Sequence, residues 1–264
     1  YIAGYLSLTG TLNNITATEI SYLDGVTSNI QTQINAAGGA SSLDGLSDVK
    51  FGGTDFLHSL LIGNTSTGTL SQARYNIGIG GQVFSSLTSA GNSVGIGYQA
   101  LTELTSGTQN TSIGGKASQK LTTGAYNVAM GMSAHQYNTT GNYNVAIGNE
   151  ALQLGTSCGY NVAIGYQSLK SNTSNSMTAL GFDALFNNTT GTECTALGYK
   201  ALYANTTGSA NIAICNQTLL FNTTGSYNTA VGVGSLYTNT TGSNNTASGY
   251  YALRANTTGI NNTA

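Results

Sequence analysis

A glycine recurs every 17 residues through most of the chain. It stands at Gly80, Gly97, Gly114, Gly131, Gly148, Gly165, Gly181, Gly198, Gly232 and Gly249, with Cys215 in the remaining place. Only the step from Gly165 to Gly181 is 16 residues. A fixed period of this length marks stacked units, and it constrains the fold before any local propensity does. Aligned on this anchor, eleven copies give the consensus N-[VT]-A-[IL]-G-Y-x-A-L-x-x-N-T-T-G-x-x.

The N-V-A-I-G segment alternates with period two, the mark of a strand. Ala and Gly then face one side, Val and Ile the other. The Ala-Leu segment that follows is short and reads as a second strand or a bend. NTTG, which begins at Asn138, Asn188, Asn205, Asn222, Asn239 and Asn256, reads as a turn. There Gly is expected to supply a positive φ, while Asn and Thr bond nearby backbone.

Seventeen residues are too few for a strand, a helix and their connections, but they suffice for one coil of a narrow parallel β-solenoid. Eleven coils stacked at about 4.8 Å make a shaft of roughly 50 Å, with like residues in ladders. So thin a prism holds Ala-sized groups and one aliphatic ladder. Two aliphatic columns, Ile/Leu and Leu, with Tyr98, Tyr166, Tyr199 and Tyr250, are then more than it can enclose. Surplus apolar faces point to lateral association, most simply a cyclic homo-oligomer.

Composition agrees. Charged residues are 6%, against about 25% in ordinary soluble domains. The 39% hydrophobic content is evenly spaced, which argues against disorder. A net charge of −2 supplies no field to gather nucleic acid or an anionic membrane. No apolar run is long enough for a transmembrane helix, and no signal peptide is visible. The chain opens on Tyr1 rather than Met and closes mid-coil at Ala264, so it reads as a piece of a longer protein whose solenoid continues.

Residues with chemistry fall into the same columns. Cys158 sits in the Gly column of NTTG, Cys194 in the Asn column and Cys215 at the anchor, as small-residue substitutes and not a metal or disulfide set. His135 replaces Leu and is expected to be exposed or edge-packed; His58 is isolated. Glu150 and Asp183 share a column two coils apart, about 10 Å, which reads as a solvated polar row. NIGIGG at 76–81 lacks the following helix of a phosphate loop. Asp24 and Asp44 begin Asp-Gly turns, a weak signal for calcium. The NTT sequons and Thr pairs read as corner chemistry in preference to glycosylation sites or an ice-binding ladder. No catalytic, cofactor-binding or metal residue is assigned, no cofactor is implied, and no enzyme is expected. If the shaft binds ligand, the Tyr column and the Asn/Thr corners are its expected surface, since sugars suit aromatic faces.

SVGIG at 93–97 and NVAIG at 144–148 and 161–165 resemble the NSVAIG core of trimeric autotransporter adhesin heads of the YadA type. The resemblance spans residues 76–264 and implies a left-handed parallel β-roll that trimerises side by side, although the present repeat is longer. LNNITATEISYLDGVTSNIQTQIN at 12–35 is similar to segments of tailed-bacteriophage tail fibres, and LDGLSDVKFGGTDFLHSLLIGNTSTGTL at 43–70 to connectors in marine cyanophage fibres. Ile20, Leu23, Val26, Ile30 and Ile34 have helical spacing, and three such helices suit a trimeric neck.

The expected architecture is therefore all-β: an N-terminal strand and short coiled-coil neck at 1–40, a connector at 41–75, and a β-solenoid shaft at 76–264. The resemblance implies a phage tail fibre or virion appendage, a homotrimer that meets other virion or fibre proteins and a host receptor, expected to be a glycan. The alternatives are a bacterial adhesin head at the cell surface and an extracellular filament subunit. No nucleic-acid partner and no membrane insertion of this segment are expected.

Overall fold

The computed structural model describes residues 49–51, 54–64 and 66–264. The expected neck at 1–40, Asp24 and Asp44 lie outside the described residues. What is described is a parallel β-solenoid of about eleven turns, each contributing one three-residue strand to a single sheet.

Strand β1 (Val49–Phe51) pairs antiparallel with β3 (Leu60–Ile62), and β2 (Phe56–Leu57) pairs with β4 (Ala73–Arg74) in a separate two-stranded sheet. From β3 onward the large sheet is parallel. It continues through β5 (Ile77–Ile79) and β6 (Val94–Ile96) to β15 (Thr246–Ser248), each strand beside the next in sequence. Val145 pairs with Val162, Ala146 with Ala163 and Ile147 with Ile164, so the sequence period is the pairing register. The register also reaches back to β3, where Leu60 pairs with Ile77.

The alternation of each strand sorts the columns as expected. Ala129, Ala146, Ala163, Ala179, Ala196, Ala213 and Ala230 are fully buried, and the residues on either side of each are partly exposed. The Leu column from Leu152 to Leu236 fills the rest of the apolar interior. Of the two readings of the Ala-Leu segment, strand or bend, the structure shows the bend. The Ala-Leu segment is a run of turns in which two residues per coil adopt a left-handed conformation, for example Lys200 (φ 53°) and Leu202 (φ 53°). Such a φ costs a non-glycine residue about 1–2 kcal/mol, which complete burial of the leucine offsets. Rungs between coils hold the segment, as from Leu202 N–H to Thr218 O at 3.0 Å.

Two ladders of buried asparagine complete the interior. In the first, before each strand, Asn127 donates from its backbone N–H and its amide to Asn110 Oδ1, at 3.0 and 3.1 Å. Its amide also reaches Gly141 O at 2.9 Å. The second ladder is the Asn of NTTG. Asn239 donates to Asn222 Oδ1 at 2.8 Å and to Gly242 O at 2.9 Å. Asn228 from the first ladder reaches the same Gly242 carbonyl at 2.9 Å. Both ladders therefore meet on the NTTG glycine where both columns hold asparagine, at Gly225, Gly242 and Gly259, and there they form a satisfied buried polar network, which interiors require.

That geometry corrects the reason for the glycine. The NTTG glycines do not have positive φ; the positive-φ glycines are the anchors, such as Gly165 at 133°. A Cβ on Gly225 would fall on the carbonyl oxygen of Gly242 in the next coil. Close approach of stacked backbones, not turn handedness, excludes a side chain there.

Candidate functional site

The outward residues of each strand, with the position after the anchor, form three columns along the shaft. They include Ile77, Ile79, Tyr98, Met130, Met132, Leu180, Phe182, Ile212, Val231 and Tyr250, each between 37% and 74% exposed. Between Ile77 and Tyr250 these columns contain no charged residue. A face about 50 Å long and about 13 Å wide has an area of roughly 650 Å², close to the ~800 Å² that each partner contributes to a standard interface.

The charges lie elsewhere. Glu103, Lys116, Lys120, Glu150, Lys170, Asp183, Lys200 and Arg254 all project from the turn segment after the anchor; from residue 76 onward Glu193 is the one charged residue at another position in the repeat. Three pairs join neighbouring coils: Lys120 with Glu103, Lys170 with Glu150 at 2.7 Å, and Lys200 with Asp183 at 4.0 Å. Most of these charges are thus used in axial pairs on one face, leaving the strand face uncharged.

Aromatic side chains stack in the same axial manner. Tyr126, Tyr143 and Tyr160 stack at 4.8 and 5.2 Å, and Tyr166, Phe182 and Tyr199 at 4.9 and 5.7 Å. Rings inside such a ladder cover one another's faces and present edges and hydroxyls outward. Thr206 Oγ1 donates to Thr223 O at 3.0 Å, and the first Thr of the other regular corners does the same. These hydroxyls are committed to the shaft, which counts against an ice-binding ladder.

His135 is not exposed; it is completely buried in the Leu column. The residue one coil earlier is Ser118, whose small side chain leaves room for the imidazole. Ser112 Oγ donates to Ser118 Oγ at 2.9 Å, and Ser118 Oγ lies 3.4 Å from His135 Nδ1. Nε2 has no partner, and burial lowers the imidazole pKa to about 4.

Glu150 and Asp183 are not brought together. Glu150 accepts from Lys170 at 2.7 Å and Gln167 at 2.6 Å, and these bonds hold its carboxyl below the usual range. Burial raises Asp183 instead, and its Oδ1 has no hydrogen-bond partner. The three cysteines are free thiols in the columns expected; burial pushes Cys158 up to about 11 and raises Cys194. Among the described residues no group of three or more His, Cys, Asp or Glu could hold a metal, and no helix is long and apolar enough to cross a membrane. An open depression of about 390 Å³ lies between Lys50, Asp55, Phe56 and Leu70, before the first regular coils.

Fold and columns together define a β-solenoid repeat protein with 17-residue coils. No family model, curated protein or solved structure matches the chain.

Proposed function

We propose that this chain is a structural and adhesive fibre segment, a homotrimeric shaft that spaces or presents a host-receptor-binding surface on a phage tail fibre or virion appendage. In this reading the coils wind left-handed, the protein is extracellular, and it has no catalytic role. One observation carries the proposal: the uncharged strand face runs the length of the shaft, while the charges gather on the turn segment, where three axial ion pairs form. A rigid prism with one long uncharged face gains most by laying that face against copies of itself. The receptor is a glycan in this reading, met through tyrosine edges and the hydroxyl-rich corners.

The NVAIG cores favour a second reading, the head of a bacterial trimeric adhesin. Flanking sequence separates the two: a membrane β-barrel after a stalk belongs to the adhesin, a tip or chaperone domain to the fibre. Light scattering on the purified chain tests the assembly. The expected mass is three times 26.9 kDa, and a monomer at micromolar concentration overturns the lateral-association argument.

A further inference from the structure

One corner of the shaft is built differently from the others. In a regular corner, Asn205 to Gly208, all four backbone N–H groups are bonded. Asn205 donates to Leu202 O at 3.1 Å, while Thr206, Thr207 and Gly208 donate to Thr223 O at 2.9, 3.2 and 3.4 Å. In the corner Gly155 to Cys158, none of the four N–H groups has a partner within the chain. The first Thr of every other corner from Thr88 to Thr240 makes the backbone rung to the next coil; Thr156 does not. Its hydroxyl also lacks the bond that Thr139 makes to Thr156 O at 2.9 Å.

The cause is the 16-residue coil that follows. Asn161 and Asn172 donate to Ser174 O at 3.0 and 2.7 Å, the bonds that elsewhere go to the NTTG glycine. Ser174 thus takes the glycine's place and the second Thr of the corner is the missing residue. The NTTG asparagine ladder breaks here as well, because Gly155 stands where the Asn should be. A Cβ on Gly155 would fall on Cys158 Sγ, so the thiol fills the space of the lost amide. On the strand face nothing is interrupted: Val145, Ala146 and Ile147 pair with Val162, Ala163 and Ile164. Beside the corner the last rung is Leu154 N–H to Lys170 O at 2.9 Å.

We infer that this corner is a one-sided hinge, at which the coils on either side part at residues 155–158 while the strand face stays zipped as the spine. A shaft whose other corners are tied by backbone rungs and asparagine or threonine bonds yields first where these are absent together. Opening there lets it bend without unfolding a coil. It also uncovers Cys158, which is as buried as Cys194, both 1% exposed.

The cysteines of the unaltered chain are the probes. The folded protein is treated with N-ethylmaleimide, and modification at each cysteine is followed by peptide mass spectrometry, normalised to the rate in denaturant. Cys158 is expected to react at least ~10-fold faster than Cys194, as local opening ahead of global unfolding requires. Equal protection of the two thiols overturns the hinge. Hydrogen exchange gives an independent reading on bonded amides. Leu154 N–H is expected to exchange at least ~10-fold faster than Ala204 N–H, its equivalent bonded to Leu220 O at 3.0 Å; equal protection again overturns it. Inserting a Thr after Thr173 together with Gly155→Asn and Cys158→Gly rebuilds the corner, and protection of Leu154 should then rise to that of Ala204.

Discussion

Asn222 donates its side-chain amide to Asn205 Oδ1, one coil below, at 2.8 Å, and to Gly225 O in its own turn at 2.9 Å. Its own Oδ1 accepts from Asn239. Asn222→Ala removes three bonds and strands at least one buried acceptor. Each bond contributes about 1 kcal/mol and an unsatisfied group costs about 1–3 kcal/mol, so a loss of roughly 4–6 kcal/mol is expected in urea unfolding followed by circular dichroism. Asn222→Asp should be worse. A carboxylate facing Asn205 Oδ1 and Gly225 O meets acceptors where donors are needed. An aspartate variant as stable as the alanine one would show that the amide's donors contribute little.

The NTTG glycine gives a sharper case. At a glycine without positive φ, Gly→Ala ordinarily stabilises by about 0.4–1 kcal/mol through the unfolded chain. Gly225→Ala is expected to do the reverse, because its Cβ lands on the Gly242 carbonyl. That carbonyl accepts both Asn228 and Asn239, so a shift of the backbone there disturbs both ladders. Urea midpoints of Gly225→Ala and the parent decide it, and a higher midpoint for the variant would remove close approach as the reason for the motif.

His135 makes stability depend on pH. Its folded pKa, about 4, lies below the usual 6.5, so protons favour the unfolded state. The contribution is complete above pH 6.5 and is lost as pH falls toward 4. A shift of that size corresponds to about 3 kcal/mol. His135→Leu, which restores the column's usual residue, should abolish this slope between pH 7 and 5. Denaturant midpoints across that range measure it, and identical slopes in the two proteins would place the titration elsewhere.

What could be read in advance follows from where information lies in a repeat. The inward facing of Ala163 and the outward facing of Ile164 come from parity within one strand, and the period repeats that evidence in coil after coil. The columns of the three cysteines were legible for the same reason. The burial of His135 depends on Ser118 one coil earlier, a comparison down a column and not along the chain. Leu202 at φ 53° contradicts ordinary leucine preference and is imposed by the closing of the coil. The role of Gly225 lies in a contact with Gly242, which a turn reading of NTTG alone cannot reveal. The strand face was legible as surplus apolar residues. The segregation of charge that sets it apart appears only once the turn segment is known to carry Lys120, Lys170 and Lys200 beside their partners.

Ala163 and Ile164 test interior and interface side by side. Ala163 is completely buried in the Ala column, between Ala146 and Ala179, so Ala163→Glu places a charge and four extra heavy atoms beyond Cβ where no space exists. Loss of folded signal over the surrounding coils is expected, because burying an unpaired carboxylate costs several kcal/mol. Ile164 faces outward and is half-buried in the isolated chain. Ile164→Lys therefore leaves the circular-dichroism spectrum and thermal midpoint of the single shaft nearly unchanged, while the added charge interrupts the uncharged face. If that face joins copies of the chain, light scattering of Ile164→Lys shows a lower mass than the parent at the same concentration, and pairing it with Ile147→Lys lowers the mass further. A folded double variant that keeps the parent's mass would move the contact to another face. A folded, stable Ala163→Glu would reverse the assignment of inside and outside on the strand.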